Sequence, residues 1–451
     1  MKTRYLYCIA SIALLTACST NEEHETVTND GLQKVTFADP FVGKGLTKAS
    51  GDIATGTDLH SYKVKVWGDL ISTYTPGGSA PDVKGSYTQH STEAPFYKGD
   101  EISHNGTTWS STKEYYYPRD KYYYRFVAFA PAEALTGSNP IQVSMNTNYQ
   151  TFSGASASNY GVSNVPLVQE IDNTAGTKKG WDLLVSNRVL SSPKETDGIY
   201  NRDAISFTFQ HILSRLSFYV YTTESEGTTV KVKSIKAYLP KGATGQYRQN
   251  TATDKPTVEG KTDNIYNSTN STWNSSTNDS WEWTTGFTDI TTVVTPSQFD
   301  ALVVNNAGNT YQEYEVQTSG EGDVVKHPTS NEFSSVINDA NITKIGKEYF
   351  LAPTPAYNDG MSDKVAKYHF FVKVEYEVST ATTTKEYTGY INLYDADFYR
   401  FKQGWHHKLY LKLDAKKIRF ITASVDNWEN TEHKEDMTVS REVDGWTAEQ
   451  H

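Results

Sequence analysis

Histidines, aspartates and glycine-rich turns are the places where this chain could carry chemistry. His406 and His407 are adjacent, and on a strand consecutive side chains point to opposite faces, so the two rings diverge instead of converging on one metal ion. Asp395 and Asp397 lie two residues apart beside Tyr394 and would share a side suited to calcium. EF-hand spacing is absent and no further oxygen donors can be assigned, so a solvated turn is the competing reading. Gly43-Lys44-Gly45 has two glycines of a phosphate-binding fingerprint but lacks the third, and no HExxH, GxSxG or P-loop motif occurs. A carboxylate pair for glycoside hydrolysis has no local spacing by which one sequence reveals it. Tyr115–Tyr117 and Tyr122–Tyr124 flank the turn signal Pro118-Arg119-Asp120. Strand alternation turns half of those rings outward, either as a platform on which a sugar stacks or as cover for a sheet face. These residues lead to the expectation of a protein that is not an enzyme and uses no metal or cofactor.

Cys18 is the exception, because its setting prescribes a covalent fate. Lys2 and Arg4 form a basic start, and Tyr5 to Leu15 is apolar but too short to span a bilayer. Leu15-Thr16-Ala17 then presents small residues before the cysteine. The pattern resembles a bacterial lipoprotein signal, cut between Ala17 and Cys18, with diacylglycerol on the sulfur and an acyl chain on the amine. An ordinary signal peptide with a chance cysteine is the alternative. Several acyl chains on one residue would tether the protein to a membrane without spanning it. Of the 2 cysteines, Cys8 leaves with the signal and Cys18 is consumed by lipid. The folded part then has no thiol for disulfides, zinc, iron–sulfur clusters or nucleophilic catalysis. Residues 18–30 follow as an acidic, flexible tether. Glu22, Glu23 and Glu25 resemble the acidic export signals of surface lipoproteins in the Bacteroidota, or are simply a solvated linker.

The elements that must position any site are strands. The 451 residues include 31 Tyr and 9 Trp against 4 Met, a balance that favours sheet over helix. With 42 Lys+Arg against 53 Asp+Glu and no basic stripe, nucleic acid is excluded as a partner. Apolar and polar residues alternate in Val35–Phe37, Tyr62–Trp67, Tyr122–Phe129, Ile205–Phe209, Leu216–Val220 and Val230–Ile235. The last third repeats the pattern in Tyr368–Val378, Glu386–Leu393, Lys408–Leu413 and Ile418–Val425, whereas Gln298–Val304 is a short helix candidate. The architecture expected is all-β, built as sandwiches. Ser, Pro, Asp and Gly gather in Val189–Asn201 and mark an exposed crossing near residues 190–203. The division is then a signal at 1–17, the tether at 18–30, one sandwich over 31–200, a second over 201–430 and a tail at 431–451. Loops are long. Residues 264–289 are rich in Asn, Ser and Thr and hold three Trp, and the Asn-x-Ser/Thr triplets at Asn267, Asn270, Asn274 and Asn278 are compositional in a bacterial chain.

Taken in order, these signals resemble the fimbrillins, pilin subunits of the Bacteroidota. The resemblance is carried by the lipobox at Cys18, by Val35-Thr36-Phe37 followed by Leu46-Thr47-Lys48-Ala49, and by Trp67. It continues through Trp109 with Tyr115–Pro118, Tyr124–Pro131, Trp181–Val185, Ile205–Leu216, Tyr349–Pro353 and Gly404-Trp405 on to Trp428. It implies two tandem transthyretin-like Greek-key β-sandwiches and assembly by donor-strand exchange, after a trypsin-like protease removes the first strand. The strand removed would carry Val35 and Phe37, with the cut after Lys48 or Lys44. Arginine is frequent at that place in the family, so lysine leaves the protease open, and an ordinary loop lysine is the alternative. Met437, Val439 and Val443 would belong to the donor strand, unless the tail is merely frayed. The implied partners are other fimbrial subunits in a head-to-tail polymer, the protease, the outer membrane through Cys18, and a host or glycan ligand. The implied location is the cell surface, first as an outer-membrane lipoprotein and then in the fimbrium. Stalk, tip and anchor roles stay open. A monomeric surface lipoprotein that binds glycans through Trp or Tyr platforms is the alternative from another class.

Overall fold

The computed structural model describes residues 33–42, 56–80, 97–117, 122–135, 141–145, 160–171, 180–196, 199–241, 244–249, 280–283, 296–304, 311–330, 336, 339–342, 344–353, 370–393, 401, 403–415, 417–426, 437–439, 443–444 and 446–450. Among them the architecture is all-β, with short helical turns at Gly56–Leu59, Ala132–Leu135 and Pro296–Val304. The last of these falls where a helix was expected. No helix among the described residues is long and apolar enough to cross a membrane.

One sheet runs in the order Phe41–Val42, Thr208–His211, Leu184–Ser186, Tyr122–Ala130, Val64–Thr73, Tyr97–His104, Trp109–Ser111, with Val189–Ser191 also on Tyr122–Ala130. Its inner face packs Val64, Val66, Tyr97, Tyr124, Phe126, Phe207 and Phe209 into a core rich in aromatic rings. Gly99 adopts φ +86° and lies against the Trp67 indole, where a β-carbon would come within 2.7 Å of the ring. A second sheet runs Met437–Val439, Lys417–Asp426, Trp405–Asp414, Ser214–Tyr221, Lys344–Leu351, Val168–Ile171. It faces a third, ordered Tyr311–Val324, Thr229–Pro240, Phe371–Ser379, Thr384–Asn392, Trp446–Gln450. Leu216, Phe218, Leu409 and Leu411 of one interdigitate with Val232, Ile235, Val374 and Tyr376 of the other. Alternation at period two puts Leu216 with Phe218, Leu409 with Leu411 and Val374 with Tyr376 on one face of each strand, and the irregularity between Val232 and Ser234 brings Val232 and Ile235 to the same face.

Two strands cross the division expected at residues 200 and 201. Thr208–His211 completes the first sheet, and Val168–Ile171 joins the second through pairs such as Phe350↔Gln169. A further sheet, ordered Ser280–Trp283, Thr244–Gln249, Tyr160–Pro166, Gln142–Met145, also combines segments from both sides. Its Val162, Tyr247 and Trp281 share a cluster with Val127, Phe129 and Val185 of the first sheet and with Phe350 of the second. Around Val127, Phe129 and Val185 the outer face of the first sheet is therefore dry as well.

Of the two readings of the tyrosine clusters, that coverage favours cover for a sheet face. Strand Tyr122–Ala130 is buried from Tyr123 to Ala130, because the aromatic core covers one face and the bridging cluster the other. Tyr115, Tyr117, Tyr123 and Tyr124 are all interior. They present no platform to a sugar.

Candidate functional site

Residues 33–42 form an extended segment that enters the first sheet from the N-terminal side of the described fold. Lys34, Thr36 and Asp39 face solvent, whereas Val35 is 5 % exposed and Phe37 8 %. Both sides of the segment are hydrogen-bonded. On one side the Val35 amide donates to the Tyr115 carbonyl at 2.8 Å and the Tyr117 amide donates to the Gln33 carbonyl at 3.0 Å, in an antiparallel sense. On the other side the Ile205 amide donates to the Thr36 carbonyl, and the amides of Ala38 and Phe41 donate to the carbonyls of Ile205 and Phe207, at 2.8–2.9 Å. There the pairing is parallel and continues as Phe41↔Thr208 and Val42↔Phe209. The segment thus fills a slot between Trp109–Tyr117 and Ile205–His211.

The slot is lined by rings. Phe37 lies edge-on to Tyr97 at 5.8 Å and stacks on Phe207 at 6.1 Å. Tyr97 in turn packs on Tyr115 at 4.1 Å, and burial pushes both phenols well above their usual range, with Asp100 accepting the Tyr115 hydroxyl proton in a hydrogen bond. Arg202 closes the far end, its guanidinium over Tyr117 and Tyr124 at 4.4 and 4.9 Å while its backbone carbonyl accepts from the Gln33 side chain at 2.8 Å. Burying Val35, Phe37 and Val42 contributes about 5–8 kcal/mol as an upper estimate. Taking the segment away leaves an apolar groove with unpaired amides and carbonyls on both walls.

The C-terminal tail occupies the opposite kind of position, on sheet edges. Met437–Val439 pairs antiparallel with Lys417–Asp426 through Val439↔Ala423, Thr438↔Ser424 and Met437↔Val425. Val443 pairs with Phe420 on the same strand, and Trp446–Gln450 adds to Thr384–Asn392. Each tail strand has one strand neighbour among the described residues, against two for residues 33–37.

Two of the sequence segments noted above come together in the interior. His211 and Asp182 lie 2.8 Å apart, both buried, and the Ile212 amide donates to the Leu183 carbonyl. His406 and His407 point to opposite faces as expected. His406 meets the Ser217 hydroxyl at 2.7 Å, and its burial, with Arg215 and Lys408 near it, lowers its pKa well below the usual imidazole range. His407 packs on Phe401 and Trp405. Sequence reading missed the ion pair beside them. Arg215 Nη2 donates to both Glu348 carboxylate oxygens at 2.9 and 2.8 Å, buried on the sheet face away from the sandwich core. Alternation with Leu216 turns Arg215 to the face away from the sandwich core, and nothing local in the sequence says that this face is covered. Ala17, Cys18, Lys44, Lys48, Asp395, Asp397 and most of 264–289 lie outside the described residues.

The described residues thus define an all-β protein with its N-terminal segment inserted between two walls of the first sheet and its C-terminal strands paired at sheet edges. The fimbrillin-like family profile matches residues 82–428. The chain belongs to that fimbrillin-like family, whose members are fimbrial structural and adhesion proteins of the cell surface and not enzymes. No curated protein matches the chain in sequence. Among solved structures, it is similar to a fimbrial protein from Bacteroides vulgatus at 12% identity, covering 91% of this chain and 99% of that one, with a TM-score of 0.40. A candidate cell adhesion protein from Bacteroides uniformis is 12% identical over 92% and 99% of the chains, with a TM-score of 0.34. A fimbrial assembly protein from Parabacteroides distasonis is 11% identical over 86% and 94%, with a TM-score of 0.29.

Proposed function

We propose that this chain is a polymerising fimbrial subunit that exchanges its first strand for a neighbour's tail. The observation that carries the reading is the seating of residues 33–42, which are hydrogen-bonded on both sides and deliver Val35 and Phe37 to the core. In this reading the protein is exported as an outer-membrane lipoprotein on Cys18, organised as two tandem transthyretin-like sandwiches. A trypsin-like protease cuts after Lys44 or Lys48 and releases the segment. The groove then accepts the tail strand of the next subunit, with Met437, Val439 and Val443 as its apolar residues. The tail suits the donor role because leaving an edge exposes one row of backbone groups to water, whereas emptying the slot exposes two rows and a ring-lined groove. Because acceptor and donor surfaces differ, the contact does not close on itself and grows a filament that supports adhesion.

Low-dose trypsin treatment followed by intact mass and electron microscopy tests this. The expected result is loss of the segment ending at Lys44 or Lys48 and the appearance of ladders or filaments, both abolished in the Lys44→Gln, Lys48→Gln double variant. A chain that is cut there and stays monomeric would rule the reading out. The burial of Tyr115, Tyr117, Tyr123 and Tyr124 weighs against a tyrosine platform there for the monomeric glycan-binding alternative.

A further inference from the structure

Three side chains from separate segments meet beside the inserted strand. Asp39 lies on the segment itself, His60 follows the Gly56–Leu59 turn, and His104 ends the strand Tyr97–His104. His60 Nε2 is 3.3 Å and His104 Nε2 3.9 Å from the same Asp39 oxygen, Oδ1, and the three potential ligand atoms all lie within 4.8 Å of one another. The two imidazoles stack at 3.5 Å with 15° between their planes. Trp109 closes one side, its ring 5.8 Å from His60 and 5.6 Å from His104. The His104 side chain is 7 % exposed and that of Asp39 is 69 %, so the site has a dry floor and an open mouth.

We propose that Asp39, His60 and His104 bind a late first-row divalent cation, Zn²⁺ in the first instance. Two imidazole nitrogens and one carboxylate oxygen are a zinc donor set, and donors at about 2.0–2.2 Å in a tetrahedron are about 3.4 Å apart, close to the spacing seen. Calcium and magnesium are excluded, because they take six or more oxygens or keep a hydrated octahedron. The side-by-side rings carry their Nε2 lone pairs nearly parallel, so binding requires each ring to turn about its Cβ–Cγ bond until the lone pairs converge. At His104 it also requires the proton to sit on Nδ1, giving up a long 3.3 Å contact from the Gly106 amide. Three protein ligands leave a fourth position for water.

The site spans sequence separations at which no metal motif is written, 21 residues from Asp39 to His60 alone, which is why the sequence reading found no metal. Its position also has a consequence that rests on the strand-release reading. Asp39 belongs to the segment to be removed while both histidines stay with the body, so the ion would clip the segment in place until it is withdrawn.

The test uses the full chain purified without a histidine tag, stripped with chelator and titrated with Zn²⁺ by calorimetry and with Co²⁺ by absorption. The expected result is one ion per chain, tetrahedral Co²⁺ bands at roughly 500–700 nm as in other four-coordinate sites, and partial quenching of tryptophan fluorescence by Co²⁺. His60→Asn and His104→Asn should each weaken binding about tenfold or more. Asp39→Ala, an exposed position that leaves folding intact, should do the same. Absence of a one-to-one event overturns the proposal, as does binding unchanged in all three variants or a thiolate charge-transfer band that places the metal on Cys8 and Cys18. Release is read separately, as the rate at which residues 33–42 leave after trypsin cleavage with and without Zn²⁺. Metal binding without slower release sinks only the clip, and release without metal binding sinks only the site.

Discussion

Replacing Phe37 with alanine would isolate the hold of the N-terminal segment on its slot. The ring is 8 % exposed, meets Tyr97 at 5.8 Å and Phe207 at 6.1 Å, and is the largest side chain that residues 33–42 bury. Deleting a buried phenyl costs about 3–5 kcal/mol once the cavity is included. The rest of the sheet keeps its own pairs, so the loss should appear as easier detachment of the segment before any general unfolding. Even about 3 kcal/mol corresponds to a roughly 150-fold larger open population. The amides of Val35, Ala38 and Phe41, which donate to Tyr115, Ile205 and Phe207, report that opening directly by hydrogen exchange. They should exchange roughly a hundredfold faster or more in Phe37→Ala, while strand Phe371–Ser379, in the separate C-terminal core, keeps its wild-type rate. A rise of less than about threefold would refute the packing argument. An equal rise in both places would refute the claim that the segment opens as its own unit.

Three further outcomes follow from the structure. Glu348→Ala should destabilise the chain by about 3–5 kcal/mol in urea titrations by stranding Arg215, whereas Arg215→Met with Glu348→Leu should recover most of it. If the double variant is as weak as the single one, the pair is not the source of the loss. Burial keeps His406 neutral in the fold, while the unfolded chain takes up a proton near pH 6.5, so its contribution is present above that pH and declines by up to about 1.4 kcal/mol per unit as pH falls below it. His406→Gln, which retains a partner for Ser217, should therefore flatten the loss of urea resistance between pH 7 and 5, and an unchanged slope would contradict this. Deleting residues 437–451 should leave a trypsin-treated chain unable to extend filaments yet able to accept one intact subunit, giving a dimer by analytical ultracentrifugation; filaments of the deleted chain would show that another segment is the donor.

Much of the fold is legible in the residues because period-two alternation is local. Tyr122–Phe129, Leu216–Val220, Val230–Ile235 and Lys408–Leu413 each lie within an observed strand, and the divergence of His406 from His407 follows from alternation alone. Alternation reports that one face of a strand is apolar. It is silent about what lies over the other face, so the interior positions of Tyr123, Arg215 and Glu348 had no local signal.

The sequence by itself determined the all-β class, the absence of the catalytic motifs sought and the family, since each rests on short spacings or on the order of short segments. Tertiary structure decided which strands pair, placing Thr208–His211 in the first sheet and Val168–Ile171 in the second. It also decided that residues 33–42 are held from both sides and that Asp39, His60 and His104 converge. The physical reason is that backbone hydrogen bonds carry no residue identity, so a strand accepts any neighbour of suitable register. Which neighbour it takes is settled by the burial of whole faces, a property of the assembled sheets.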